Sequence, residues 1–156
     1  MKRWHLIASI LIIGTASLIA CKEGVKKDEK TVDVSEMTKN QPEVHGTELK
    51  ESDITLATPL DQTMVAAGKG TYELKCQSCH KLTEEKLVGP GWKDVTTRRK
   101  PVWIMNMITN VDMMLETDPE AQKLLEQCLV RMPNQNLDKD QARQVLEFMR
   151  SNDGVK

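Results

Sequence analysis

Apolar residues recur at helical spacing in four stretches of the chain, and each stretch carries its own start or stop signal. Over about 61–75, Met64, Val65, Gly68, Tyr72 and Leu74 make an inward stripe behind Asp61, a good N-cap, despite two glycines. Pro101, at home in a first helical turn, precedes Val102, Trp103, Ile104, Met105, Met107 and Ile108. Asp118-Pro119-Glu120 combines a cap, a first-turn proline and an acid that suits the helix dipole, and opens a helix running to about 129. Asp138, with Gln141 three residues on, forms a capping box for the last helix, which contains Val145-Leu146-Glu147-Phe148-Met149 and closes at Asn152-Asp153-Gly154. No alternating run suggests a strand. The pattern predicts a small all-α domain of about four helices over 58–154.

The residues ahead of it differ in kind. Lys2 and Arg3 precede an apolar run over 6–19, interrupted by Ser9, Gly14, Thr15 and Ser17, and a small residue, Ala20, stands before Cys21. This has the layout of an export signal over 1–20, and the run is short for a membrane span of about 20 apolar residues. Leu18-Ile19-Ala20-Cys21 resembles the lipobox of bacterial lipoproteins. The resemblance implies cleavage before Cys21, lipid on its sulfur, an acylated new amino terminus, and a protein exported and held by lipid at the periplasmic face or cell surface. Several acyl chains anchor stably, since each buried CH₂ contributes about 0.8 kcal/mol. Residues 21–57 are rich in Lys, Glu, Asp and Thr and poor in large apolar side chains, so they read as the lipidated cysteine and a flexible tether reaching tens of ångströms. His45 lies in it as an ordinary exposed histidine.

Composition adds two points. Over 59–156, fourteen basic and fourteen acidic residues balance, and the whole chain has net charge −1, which gives no basic stripe for nucleic acid. Aromatic residues make up 3%, few for a core of this size, so a large flat apolar group could fill the part of the interior that rings usually occupy.

Cys76-Gln77-Ser78-Cys79-His80 supplies the chemistry. A Cys-x-x-Cys-His run is the pattern of covalent c-type haem attachment: the thiols add across haem vinyl groups, and the adjacent imidazole ligates the iron. Zinc would want a second cysteine pair, and the other candidates, Cys21, His45 and Cys128, stand in unrelated spacings. A redox dithiol would want strands around it. One haem c is therefore the expected cofactor. Cys128, left over, reads as a small buried hydrophobe beside Leu124, Leu125 and Leu129.

Helices around such a pentad resemble the class I monohaem cytochromes c over about 95 residues. Gly68, Tyr72 and Cys76 match the Gly, aromatic, Cys spacing of that family's N-terminal helix, and Phe148 matches the aromatic of its C-terminal helix. Gly89-Pro90 sits where the family's Gly-Pro holds the proximal histidine through a carbonyl, here for His80. Met132, in Arg131-Met132-Pro133-Asn134 between two helices, looks like the distal ligand; Pro133 restricts it to extended backbone, and the Met113/Met114 pair is the next candidate. Trp92 and Trp103 are open between donating to a haem propionate and plain packing. Arg131 is a propionate candidate if its side chain turns inward. Arg98, Arg99 and Lys100 read as a solvated loop ahead of the Pro101 helix, the alternatives being neutralisation of propionates and a docking patch for an acidic partner.

A His/Met pair saturates the iron, so the resemblance implies an outer-sphere one-electron carrier between a redox protein donor and acceptor, and not an enzyme. The alternatives are a haem-based sensor or small-ligand binder, and a fixed haem subunit of a reductase or oxidase complex.

Overall fold

The computed structural model describes residues 46–156, which belong to one compact unit. The export segment, Cys21, His45 and most of the expected tether lie outside the described residues. Six helices follow in order: α1, Gln62–Thr71, continued by a π turn, Tyr72–Cys76; α2, Val95–Arg98; α3, Pro101–Thr109; α4, Val111–Thr117; α5, Pro119–Cys128; and α6, Lys139–Asn152. Among the described residues there is no strand, only an isolated bridge between His80 and Lys86, and no helix is long and apolar enough to cross a membrane.

The caps sit where the side-chain chemistry puts them. Asp61 accepts from the Thr63 and Met64 amides at 2.8 and 3.1 Å, Asp118 accepts from Ala121 at 2.8 Å, and Asp138 and Gln141 exchange bonds as a capping box. Helix α4 was not expected. Asn110 leaves helical geometry after α3 and its side chain accepts from the Met113 amide, restarting a short helix within two residues.

Helices α1 and α6 cross most closely. A Cβ on Gly68 would stand 2.0 Å from the Gln144 carbonyl oxygen and 3.0 Å from the Phe148 Cβ, so only hydrogen fits there. Around the crossing lie Met105, Val145, Leu146, Ala142 and Met149, all but inaccessible. Each large one contributes about 1.5–3 kcal/mol by leaving water. Cys76, four residues after Tyr72, stays on the core side through the π turn, whereas Leu74, expected to face inward, stands two residues after Tyr72 on the opposite side and is 82% exposed.

The folded domain begins earlier than residue 58. Residues 46–57, expected in the tether, are strapped down: Asn106, buried in α3, donates to the Leu49 carbonyl at 2.9 Å and accepts from its amide at 2.8 Å. The strap continues through Arg143 and Arg150 to the carbonyls of Thr55 and Ala57. Both guanidinia also hold Glu147, which is fully buried and accepts from Arg143 at 2.6 Å, Arg150 at 2.9 Å and the Asp61 amide at 3.2 Å. Burial opposes ionisation of Glu147, yet the bonds from the two arginines hold its carboxyl below the usual range.

Two predictions follow from this packing. Gly68→Ala should lower stability by at least about 2 kcal/mol, because backbone must move to admit the methyl, while Gly70→Ala, with nothing within 4 Å, should stabilise by about 0.5–1 kcal/mol; paired urea titrations read both. Glu147→Gln should cost about 3 kcal/mol at pH 7, since it leaves the buried Arg150 and the partly buried Arg143 without their anion. The wild-type advantage should be constant above the unfolded glutamate pKa near 4.3, and should shrink as pH falls through the depressed folded value, in melts recorded from pH 7 to pH 3.

Candidate cofactor site

The π turn ends at Cys76, and a tight turn then brings round the rest of the pentad, with the Cys79 and His80 amides donating to the Cys76 carbonyl at 3.0 and 2.9 Å. The His80 ring is held from two sides. Its Nδ1 lies 2.9 Å from the Pro90 carbonyl oxygen, and a Cβ on Gly89 would meet the ring at 2.4 Å. A carbonyl can only accept, so Nδ1 carries the hydrogen and Nε2 keeps a free lone pair. Burial pushes the His80 pKa down and the Pro90 bond only partly opposes this, so the imidazole is neutral at neutral pH. Burial also raises the Cys76 thiol to about 11 in the chain as it stands.

A column of rings joins this histidine to the helix crossing. His80 packs on Trp92 at 5.4 Å between centroids, Trp92 on Tyr72 at 5.0 Å, and Tyr72 on Phe148 at 5.4 Å, while the Tyr72 hydroxyl donates to the His80 carbonyl at 2.8 Å. Of the two uses open to Trp92, packing is the one displayed: it is 6% exposed and has a ring on either side.

Beside the histidine opens a cavity of about 360 Å³ with a mainly apolar lining. Cys76, Cys79, His80, Pro90 and Trp92 form one part of its wall; Ile104, Leu124, Cys128, Leu137 and Val145 form others. Three methionines line it: Met107 and Met149 from helices, and Met132 from the loop between α5 and α6. Met113 and Met114 do not; Met113 faces a second, polar hollow and Met114 is core. Cys128 is half-buried on the cavity wall, so the inward side of α5 faces this space.

These residues fit a haem. The volume lies in the range of ligand sites, and the wall brings together two thiols, a neutral imidazole with a free Nε2 and thioether sulfurs, all soft or borderline donors. Trp103 also lines the cavity, and its Nε1 is the buried polar atom without a partner among the described residues, a donor that a propionate would satisfy. The Arg99 guanidinium covers its ring at 4.6 Å. Arg98, expected in a solvated loop, ends α2 and donates to the Gly91 and Lys93 carbonyls at 3.0 and 2.8 Å. Arg131 reaches the cavity wall, but its guanidinium is turned outward to pair with Asp112 on α4, away from a propionate role. Asn106, Glu147 and Asp112 escaped the sequence reading. Glu147 had a signal, flanked by Arg143 and Arg150 at i−4 and i+3 on an otherwise apolar face.

Comparison with known proteins agrees with this geometry. The Cytochrome c family model matches residues 65–153. A cytochrome c from Rhodothermus marinus superposes with a TM-score of 0.65 at 30% identity, covering 74% of this chain and all of that one. Two engineered forms of the Rhodothermus protein superpose at 0.63 and 0.61 with 30% and 31% identity, each covering 72% of this chain and 98% of its own; the second is described as bound to a carbene intermediate. No curated protein matches. The family match over more than half of the chain, together with a cavity whose walls suit the cofactor, places this protein in the cytochrome c family, as a class I member with covalently bound haem c.

Proposed function

We propose that this haem-based electron-transfer protein is a lipid-anchored carrier that takes one electron from a donor protein and gives it to an acceptor, with Cys76 and Cys79 as thioether attachments and His80 and Met132 as axial ligands. The observation that carries the reading is that His80, its tautomer set by the Pro90 carbonyl, shares one apolar cavity with Met132. Among the methionines there, Met132 alone comes from a loop, where Pro133 limits its backbone and no helix register dictates its direction. Bound haem supplies a one-electron iron couple, and a thioether favours the reduced state.

This chain's residues then do three things. Pro90 and Gly89 fix the plane of the His80 ring, so the ligand does not reorient between oxidation states. Leucines, valines and Ile104 around the cavity exclude water, which keeps reorganisation small when charge changes. Trp103 offers an N–H to a propionate, taking a buried negative charge into a hydrogen bond. Export and lipid attachment at Cys21 belong to the same reading. They would keep the domain within reach of membrane partners on a tether shorter than 21–57, because residues 46–57 are bound to the domain.

Met132→Ala should raise the affinity of the oxidised haem protein for imidazole by at least about tenfold, or 1.4 kcal/mol, and lower its reduction potential, read by optical and redox titration. An unchanged spectrum and affinity would point instead to a sensor or small-ligand binder with no sulfur ligand from this loop. Cys21→Ser should move the protein from the detergent phase to the soluble fraction of cells and abolish fatty-acid labelling.

A further inference from the structure

The loop that carries Met132 separates two different surroundings. Its inner face borders the apolar cavity, and its outer face borders an open polar hollow of about 780 Å³, so Met132 and Pro133 line both. The far wall of the hollow is α4 and its cap, with Asn110, Asp112 and Glu116. On its outer side the loop borders this open hollow rather than packed side chains. The chain enters the loop at Leu129 in the left-handed region, φ 58°, a conformation a leucine rarely adopts, and regains the core only at Leu137, 3% exposed. Between them the loop makes a local turn, with the Asn136 amide donating to the Asn134 side chain at 2.8 Å, and Lys75 donates to the Gln135 carbonyl at 3.0 Å on the C-terminal side of the methionine. On the N-terminal side stands the ion pair of Arg131 with Asp112, which spans from the loop to α4.

We infer that the Arg131–Asp112 pair is a latch that positions Met132 against the haem iron, with the polar hollow as the space into which the loop swings when the pair opens. Both are positioning residues: neither carries the sulfur, but the residue next to it is tied to a helix that itself starts at a fixed Asn110 cap. The latch is partly exposed, the side chains of Arg131 and Asp112 being 58% and 25% accessible, so it is worth a modest factor and weakens with salt. An external ligand that competes with Met132 should therefore bind more tightly when the latch is broken. The inference rests on Met132 being the sixth ligand.

Imidazole titration of the oxidised haem-loaded protein tests it. Asp112→Asn and Arg131→Gln should each raise imidazole affinity about three- to five-fold, the ceiling for a pair of this exposure, and Arg131→Lys should keep most of the wild-type value. The charge-swapped double variant, Asp112→Arg with Arg131→Asp, should restore at least half of the lost discrimination. Wild-type affinity should rise between low salt and 0.5 M KCl, and the rise should be absent in Asp112→Asn. A general loosening of the fold would not be rescued by the swap or abolish the salt response; urea titrations of the same variants should show a loss of folding equilibrium no larger than the three- to five-fold seen in imidazole affinity, and a larger loss would mark loosening and overturn the latch. If Met132→Ala raises affinity but the Asp112 and Arg131 variants do not, the latch is wrong and the ligand assignment stands. If Met132→Ala itself changes nothing, the ligand assignment falls and the latch with it.

Discussion

Contact of backbone with backbone where α1 crosses α6 is the constraint on which the rest of this structure depends. At Gly68 there is room for a hydrogen and no more, and the two helices are held at the distance that this allows. That distance sets where Tyr72 meets Phe148, and Tyr72 in turn fixes Trp92 and the carbonyl of His80. The position of His80 is thus referred, through three aromatic contacts and one hydrogen bond, to a steric limit in the helix pair. Aromatic contacts of this kind contribute about 0.5–1.5 kcal/mol each beyond their area, and their larger effect is directional, since rings in close contact cannot turn independently.

Around this crossing the protein uses polar ties where backbone would otherwise lose its partners. Glu147 is buried at the heart of one, with its charge met by two arginines that also reach the carbonyls of the strap over 55–57. Such a cluster adds little net stability against an apolar replacement, but removing one member leaves the others uncompensated. Asp153 makes a second tie, accepting from the amides of Asp94 and Thr96 at 2.8 Å and so closing the end of α6 on the start of α2. The two sides of the cofactor cavity differ accordingly. The His80 side is built of interlocked rings and backbone hydrogen bonds, whereas the Met132 side is a loop between two spaces, held by an ion pair, a lysine and a turn. Local opening is easier where buried apolar contacts are few, so the distal side is the place where this domain can adjust.

Much of this was legible before any coordinates because it is local. Asp61, Asp118 and Asp138 cap their own helices within three residues, and the Cys-x-x-Cys-His run carries its chemistry in five consecutive positions. The role of Gly68 was legible through its spacing from Tyr72 and Cys76. Other residues misled for a definite reason. Leu74 was grouped with the apolar stripe of α1, but it stands two residues past Tyr72, about 200° round the helix, and faces solvent. Arg131 has the reach for a propionate, yet its counter-charge stands on a short helix, α4, whose existence hinges on the Asn110 side chain. The strap at 46–57 has the composition of a solvated linker and is ordered by bonds to residues more than fifty positions away, such as Leu49 to Asn106.

The amino-acid sequence by itself determined the four longer helices, the haem attachment motif and the family, since caps, motif and helical period act over a few residues and need no partner. Tertiary structure alone decided where the domain begins, which arginine faces outward, that Glu147 is a buried hub, and that the Met132 loop is a wall between an apolar and a polar space. Those outcomes depend on which distant groups satisfy a buried charge or an unpaired backbone bond, and the chain settles that only when all its helices are in place.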